Sequence, residues 1–139
     1  MVQVLVLSST QFETFTHKGA DGMLRVWDVT RGHEIAQRDH ELLRFPLCEY
    51  DLTPEEIKVL YPGINEQHAM TTDLKRPLLF IPYFGQIFLL DGWHRTFKAV
   101  CRGVPELPMY LLTPEEAKSI LLCELSPEEQ RGCSVRCAR

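Results

Sequence analysis

The residues best placed to do chemistry are Asp91-Gly92-Trp93-His94-Arg95, with Lys98 and Arg102 following on the same helical frame. An apolar run, Gln86–Leu90, ends there, and helical periodicity begins at Trp93, so the segment lies where a strand hands over to a helix. A helix start turns unpaired backbone N–H groups outward, and these together with the helix dipole attract an anion. Gly92 permits a tight turn and the close approach of a phosphate. Arg95 offers a planar fork suited to phosphate oxygens. His94 can donate a hydrogen bond or move a proton near neutral pH. Asp91 suits a magnesium ion or the orientation of His94. Arg95, Lys98 and Arg102 recur at i, i+3 and i+7, which predicts one basic stripe with Lys98 beside the phosphate site. The same residues also admit a structural reading, with Asp91 as a helix cap, His94 solvated and the cations as a solvated face.

The elements that must position this turn are legible on both sides. Leu78–Pro82 and Gln86–Leu90 flank Tyr83-Phe84-Gly85 and predict a hairpin with a short glycine-containing loop. Trp93, Phe97, Val100 and Cys101 fall on one apolar face, so Cys101 reads as core packing, and Gly103 followed by Pro105 ends the helix. A strand at Leu107–Leu112 and a helix from Pro114 to Cys123 come next. Upstream, Val2–Leu7 and Met23–Val29 read as strands, residues 32–44 as a short helix carrying Ile35, Leu42 and Leu43 inward, and Leu47–Leu52 as another strand.

Three helix starts share one form. Thr53-Pro54-Glu55-Glu56, Thr113-Pro114-Glu115-Glu116 and Ser126-Pro127-Glu128-Glu129 each offer a hydroxyl cap, a proline at the first helical position and a glutamate that closes a capping box. Their carboxylates are therefore read as caps, not catalysts. Between Tyr61 and Pro77 the chain is loop-like, with His68 and Lys75-Arg76 in it, and a loop of that length either has a job, such as covering a site, or is disordered.

The chain has 139 residues, 45% of them apolar, and a formal net charge of −4. That predicts one domain over residues 1–125 of the α/β (α+β) class, a small mixed sheet with short helices, and a partly disordered tail at 126–139. An acidic whole argues against duplex DNA as partner, since such binding needs a basic face. No run approaches the roughly 18 apolar residues of a membrane helix, and Met1–Leu7 reads as a strand instead of a signal peptide. Five cysteines without a secretory signal predict reduced thiols and a cytoplasmic location. Cys133 and Cys137 lack two further ligands at the spacing a zinc site needs.

Two resemblances follow. Lys18-Gly19-Ala20-Asp21-Gly22-Met23-Leu24-Arg25-Val26-Trp27-Asp28-Val29 resembles the end of a WD40 repeat, but a propeller needs several blades of about 40–45 residues, and nothing here repeats. The hydrophobic hairpin, then L-L-D-G-W-H-R-T-F-K-A-V, a short turn, a strand and a helix resemble the ParB/sulfiredoxin superfamily over about residues 78–122 and more loosely over 23–52. In that superfamily a G-x-H-R or G-x-R-R turn at a helix start binds nucleotide phosphates. The resemblance therefore implies a nucleotide triphosphate or diphosphate held by Gly92, His94, Arg95 and Lys98. Sulfiredoxin carries its reactive cysteine directly before the histidine, where this chain has Trp93, so sulfinic acid reduction is not implied. Chromosome-partitioning members continue into a helix-turn-helix and a dimerisation domain, for which the sequence after the motif is too short, and a stand-alone domain is expected. The turn is similar to the D-G-H-H-R turn of free-serine kinases, with Trp93 replacing the first histidine. Those kinases use an upstream glutamate, and Thr30-Arg31-Gly32-His33-Glu34 resembles that region. Glu34 is thus a candidate base or metal-organising carboxylate.

Three functions are compatible with these observations. One is a small NTPase or phosphotransferase in which His94, Arg95 and the helix start hold the phosphates while Asp91, with Glu34, holds Mg²⁺ or activates a hydroxyl. Another is a non-catalytic nucleotide switch that alters how the chain meets a protein partner. The last is an interaction module, of the sort a mobile element carries, that keeps the turn for structure alone. A two-metal nuclease would need a second acidic cluster near Asp91, which the sequence lacks.

Overall fold

A computed structural model describes residues 13–132. The expected strand at Val2–Leu7 and the Cys133/Cys137 pair lie outside the described residues. The chain divides into two compact units, one made by the chain up to Arg38 together with the chain from Thr113 on, the other by Asp39–Leu112. The class is α+β, with the strands in two separate sheets.

The first unit holds an antiparallel sheet of β1 (Thr14–Lys18), β2 (Leu24–Asp28) and β7 (Leu121–Leu125) in the order β1-β2-β7. It also holds helices α1 (Val29–Asp39), α5 (Pro114–Ser119) and α6 (Pro127–Gly132). Strand β1 falls between the expected strands Val2–Leu7 and Met23–Val29, in a polar stretch where no strand is expected. Its side chains alternate between exposed and half-buried, so Phe15 and His17 share one face while threonines and Lys18 take the other. Val26, Trp27, Val29, Ile35, Ala36 and Ile120 are buried. Arg25, itself buried, donates to Asp21 Oδ2 and Glu124 Oε2, both at 2.8 Å, which ties the β1–β2 turn to β7. Helix α1 begins three residues earlier than expected and stops at Asp39. Leu42 and Leu43, expected inward, are instead 50% and 43% exposed. Of the described thiols, Cys48 and Cys101 are free, whereas Cys123 is disulfide-bonded, against the expectation of reduced cysteines throughout.

The second unit is built on a four-stranded sheet, β3 (Leu43–Phe45), β6 (Leu107–Leu111), β4 (Leu78–Tyr83) and β5 (Gln86–Asp91), in the order β3-β6-β4-β5. Only β4 and β6 run parallel; the other neighbours are antiparallel. The strand expected at Leu47–Leu52 is a single 3₁₀ turn, Leu47–Glu49. Pro46 has no N–H to continue the β3 ladder, and the strand ends at Phe45. Three helices complete the unit: α2 (Pro54–Leu60), α3 (Glu66–Met70) and α4 (Trp93–Arg102). All three expected capping boxes form, at Thr53, Thr113 and Ser126. Phe45, Leu47, Leu78, Phe80, Leu89, Ala99, Leu107 and Met109 form one core, and Ile57, Ala69 and Phe97 form another under α2 and α3. Trp93 and Val100 pack against both, so α4 is wedged between two apolar surfaces.

The β4–β5 hairpin closes through Phe84-Gly85, both at positive φ (50° and 79°), with Tyr83 paired to Gln86. Two such residues mark the hairpin turn that favours Asn-Gly, and a bulky side chain pays a steric cost there. Phe84 is 71% exposed and meets the Tyr83 ring edge-on. Phe84→Asn is therefore expected to stabilise the chain by roughly 0.5–1 kcal/mol. A denaturant midpoint that rises with unchanged slope would bear this out, and a fall would mean that Phe84 packs more tightly than its exposure indicates.

Candidate functional site

The Asp91–Arg95 turn forms as the sequence predicts, with β5 ending at Asp91 and α4 starting at Trp93. Gly92 is the N-cap, at φ +116° and ψ 18°, and its carbonyl accepts both the amide and the hydroxyl of Thr96 at 2.9 Å. The reason for glycine here differs from the expected one. A Cβ on Gly92 would overlap Leu78 Cδ2 and come within 3.1 Å of Arg95 Nη2. The space beside Gly92 is filled by the protein's own side chains, so the missing Cβ serves packing and a left-handed backbone, not the approach of a phosphate.

Arg95 is the largest departure. It is 6% exposed, not part of a solvated basic stripe. Its Nη2 donates to Pro77 O at 3.1 Å and to Asp91 Oδ2 at 3.4 Å. The guanidinium thus pins the start of β4 to the end of β5, and Asp91 faces Arg95. The Asp91 carboxylate is thus engaged by Arg95, and no group of three or more His, Cys, Asp or Glu side chains comes together among the described residues.

His94 and Lys98 lie one turn apart and both reach the 61–77 segment. The Asn65 amide donates to His94 Nε2 at 3.0 Å, and Lys98 Nζ donates to Thr72 O at 2.7 Å. An Nε2 that accepts assigns the His94 ring as neutral with its proton on Nδ1. Burial, then His68 and Arg95, hold the imidazole below the ordinary histidine value, with Asp91 pulling the other way. The His68 ring meets His94 edge-on at 4.8 Å, and Tyr61 does so at 6.0 Å. Arg102 continues the same contact, its Nη2 lying 3.8 Å from Met70 Sδ.

The 61–77 loop therefore covers one face of α4, and it contains a helix that the sequence pattern did not announce. Asn65 caps that helix, its Oδ1 accepting from the His68 amide at 3.0 Å. Asparagine followed directly by an acidic residue was the available signal, masked by the helix having only five residues. Lys58 and Glu66 form an ion pair between α2 and α3. Trp93, which takes the place of a histidine or cysteine in the motifs it resembles, stacks on Tyr61 at 5.4 Å and 7°, and its Nε1 donates to Leu89 O. Of the other sequence candidates, Glu34 belongs to the first unit, where it is exposed and pairs with Arg31 at 3.4 Å. Cys101, expected in the core, is exposed. The wedge that buries Phe97 on one side and Ala99 on the other leaves Cys101 outside both.

Comparison with protein-family models, curated proteins and solved structures found no match. The geometry of the site is what bears on function. His94 and Lys98 are half-buried, whereas Arg95 is enclosed. Among the described residues no helix is long and apolar enough to cross a membrane.

Proposed function

We propose that this chain is a ParB-like module that binds nucleotide phosphates at the start of α4 without turnover of its own. The observation that carries this reading is the engagement of His94 and Lys98. Both lie in the first two turns of α4, and both hold backbone groups of the 65–72 cover. A phosphate group would compete with that cover, so binding would be converted into movement of a surface that a protein partner can sense. The engagement of the Asp91 carboxylate by Arg95 favours binding over a phosphotransferase or NTPase reading.

Calorimetry with ATP, ADP, CTP and GTP, with and without Mg²⁺, tests the proposal. Lys98→Ala is the better comparison, because Arg95→Ala would disturb the core. One nucleotide is expected to bind, and Lys98→Ala to weaken it about tenfold or more, the worth of one charged hydrogen bond. No phosphate release above background is expected. A folded wild type that binds none of the four overturns the reading. The second reading, an interaction module that keeps the turn for structure, is favoured by the burial of Arg95 against Pro77 O. Under it, Lys98→Ala changes only the cover.

A further inference from the structure

We propose that His94 is a proton-operated latch on the 61–72 cover, closed when its imidazole is neutral and released when Nε2 takes up a proton. The inference stands apart from phosphate binding and is read without any ligand.

The geometry makes the bond one that protonation must break. His94 Nε2 is an acceptor at 3.0 Å from the Asn65 amide. A protonated Nε2 is a donor, so two N–H groups would then face each other. Asn65 is also the residue whose side chain caps α3, so this bond holds the residue that starts the helix above it. A helix only five residues long is too short to persist without its tertiary anchors. A second anchor, Lys98 to Thr72 O, ends on a backbone carbonyl, which does not titrate in this range. Release is therefore expected at the Asn65 end, with the Thr72 end retained as a hinge.

The groups around His94 set the direction. From α3 come His68, 4.8 Å away ring to ring, and Glu66, which is taken by Lys58 of α2. The end of α2 contributes the Tyr61 ring, β5 contributes Asp91, and α4 itself carries Arg95 and Lys98. Asp91 favours a charged His94 but is itself engaged by Arg95. Burial, His68 and Arg95 disfavour the charge and prevail. A histidine whose folded value is depressed contributes stability that is fully present above the ordinary histidine value. That stability is lost as pH falls through the depressed one. The cover is accordingly closed above the ordinary histidine value and opens as pH falls below it.

Residue-resolved amide exchange on the whole chain, from about pH 8 to about pH 5, tests the latch against the ring titration of His94 read by NMR. Corrected for intrinsic exchange, protection at Asn65 and through residues 66–70 is expected to fall about fivefold, the worth of one hydrogen bond, as His94 titrates. Protection in β4 and β5 is expected to hold over the same range. The local readout matters because His17 of the first unit is also held below its ordinary value, by burial and Arg25, and would move global stability in the same direction. In His94→Gln the side-chain carbonyl can accept at any pH, and protection should become flat. Unchanged Asn65 protection while His94 protonates in the wild type overturns the latch, and that result needs no variant. Protection that stays pH-dependent in a folded His94→Gln overturns it as well.

Discussion

Gly92→Ala is expected to cost about 2–6 kcal/mol, enough to weaken the Asp39–Leu112 unit severely. Two effects combine at this position. An L-residue at φ +116° occupies a region of backbone space that only glycine reaches readily, at a cost of about 1–3 kcal/mol. The added methyl would also overlap Leu78 Cδ2 in the core and crowd Arg95 Nη2 at 3.1 Å. Overpacking of a tight core adds roughly another 1–3 kcal/mol. Leu78 is fully buried, and its own Cα would lie 3.5 Å from the new methyl, so there is no room for it to yield. Native domains have about 5–15 kcal/mol in total, which makes this a large fraction. Urea denaturation of the variant measures the loss directly. A loss below about 0.5 kcal/mol, the range of ordinary surface substitutions, would mean that the turn relaxes freely.

Arg95→Ala is the second large effect, expected at about 3 kcal/mol. The substitution removes a buried cation that donates to Pro77 O and Asp91, and leaves both acceptors without it. The carboxylate of Asp91 keeps some access to water, and the 3.4 Å separation is long, so the Coulombic share is the smaller part. Most of the loss comes from the part-buried Pro77 carbonyl contact and the space vacated beside Gly92. Denaturation of Arg95→Ala, Asp91→Ala and the double variant separates these shares. The double variant is expected to be only slightly more stable than Arg95→Ala alone. If Asp91→Ala restored most of the lost stability, the uncompensated carboxylate would account for the greater share of the loss. The consequence for function is practical: loss of ligand binding in Arg95→Ala would report damage to the turn, whereas Lys98→Ala removes a proposed phosphate contact whose bond within the protein is to the cover, not to the turn.

What the sequence determined by itself about this protein is whatever depends on neighbours a few residues apart. Thr53, Thr113 and Ser126 cap their helices because hydroxyl, proline and glutamate fall within one turn of each other. The hairpin of β4 and β5 and the stop of α4 at Gly103 follow from turn chemistry of the same short range. The place of the Asp91–Arg95 turn between strand and helix was legible for that reason too. Tertiary structure decided which way its side chains serve. Arg95 reads as solvated on a helical wheel, yet α4 is wedged between two apolar surfaces, and a buried arginine then needs the Pro77 carbonyl that only the fold supplies. The α3 cover is too short to be read locally and exists through Asn65 on His94 and Lys98 on Thr72, pairs separated by 29 and 26 residues. Strand β1 lies in a polar stretch where no strand is expected, and β2 supplies its hydrogen bonds. Such contacts depend on where distant segments meet, which short-range residue patterns do not encode.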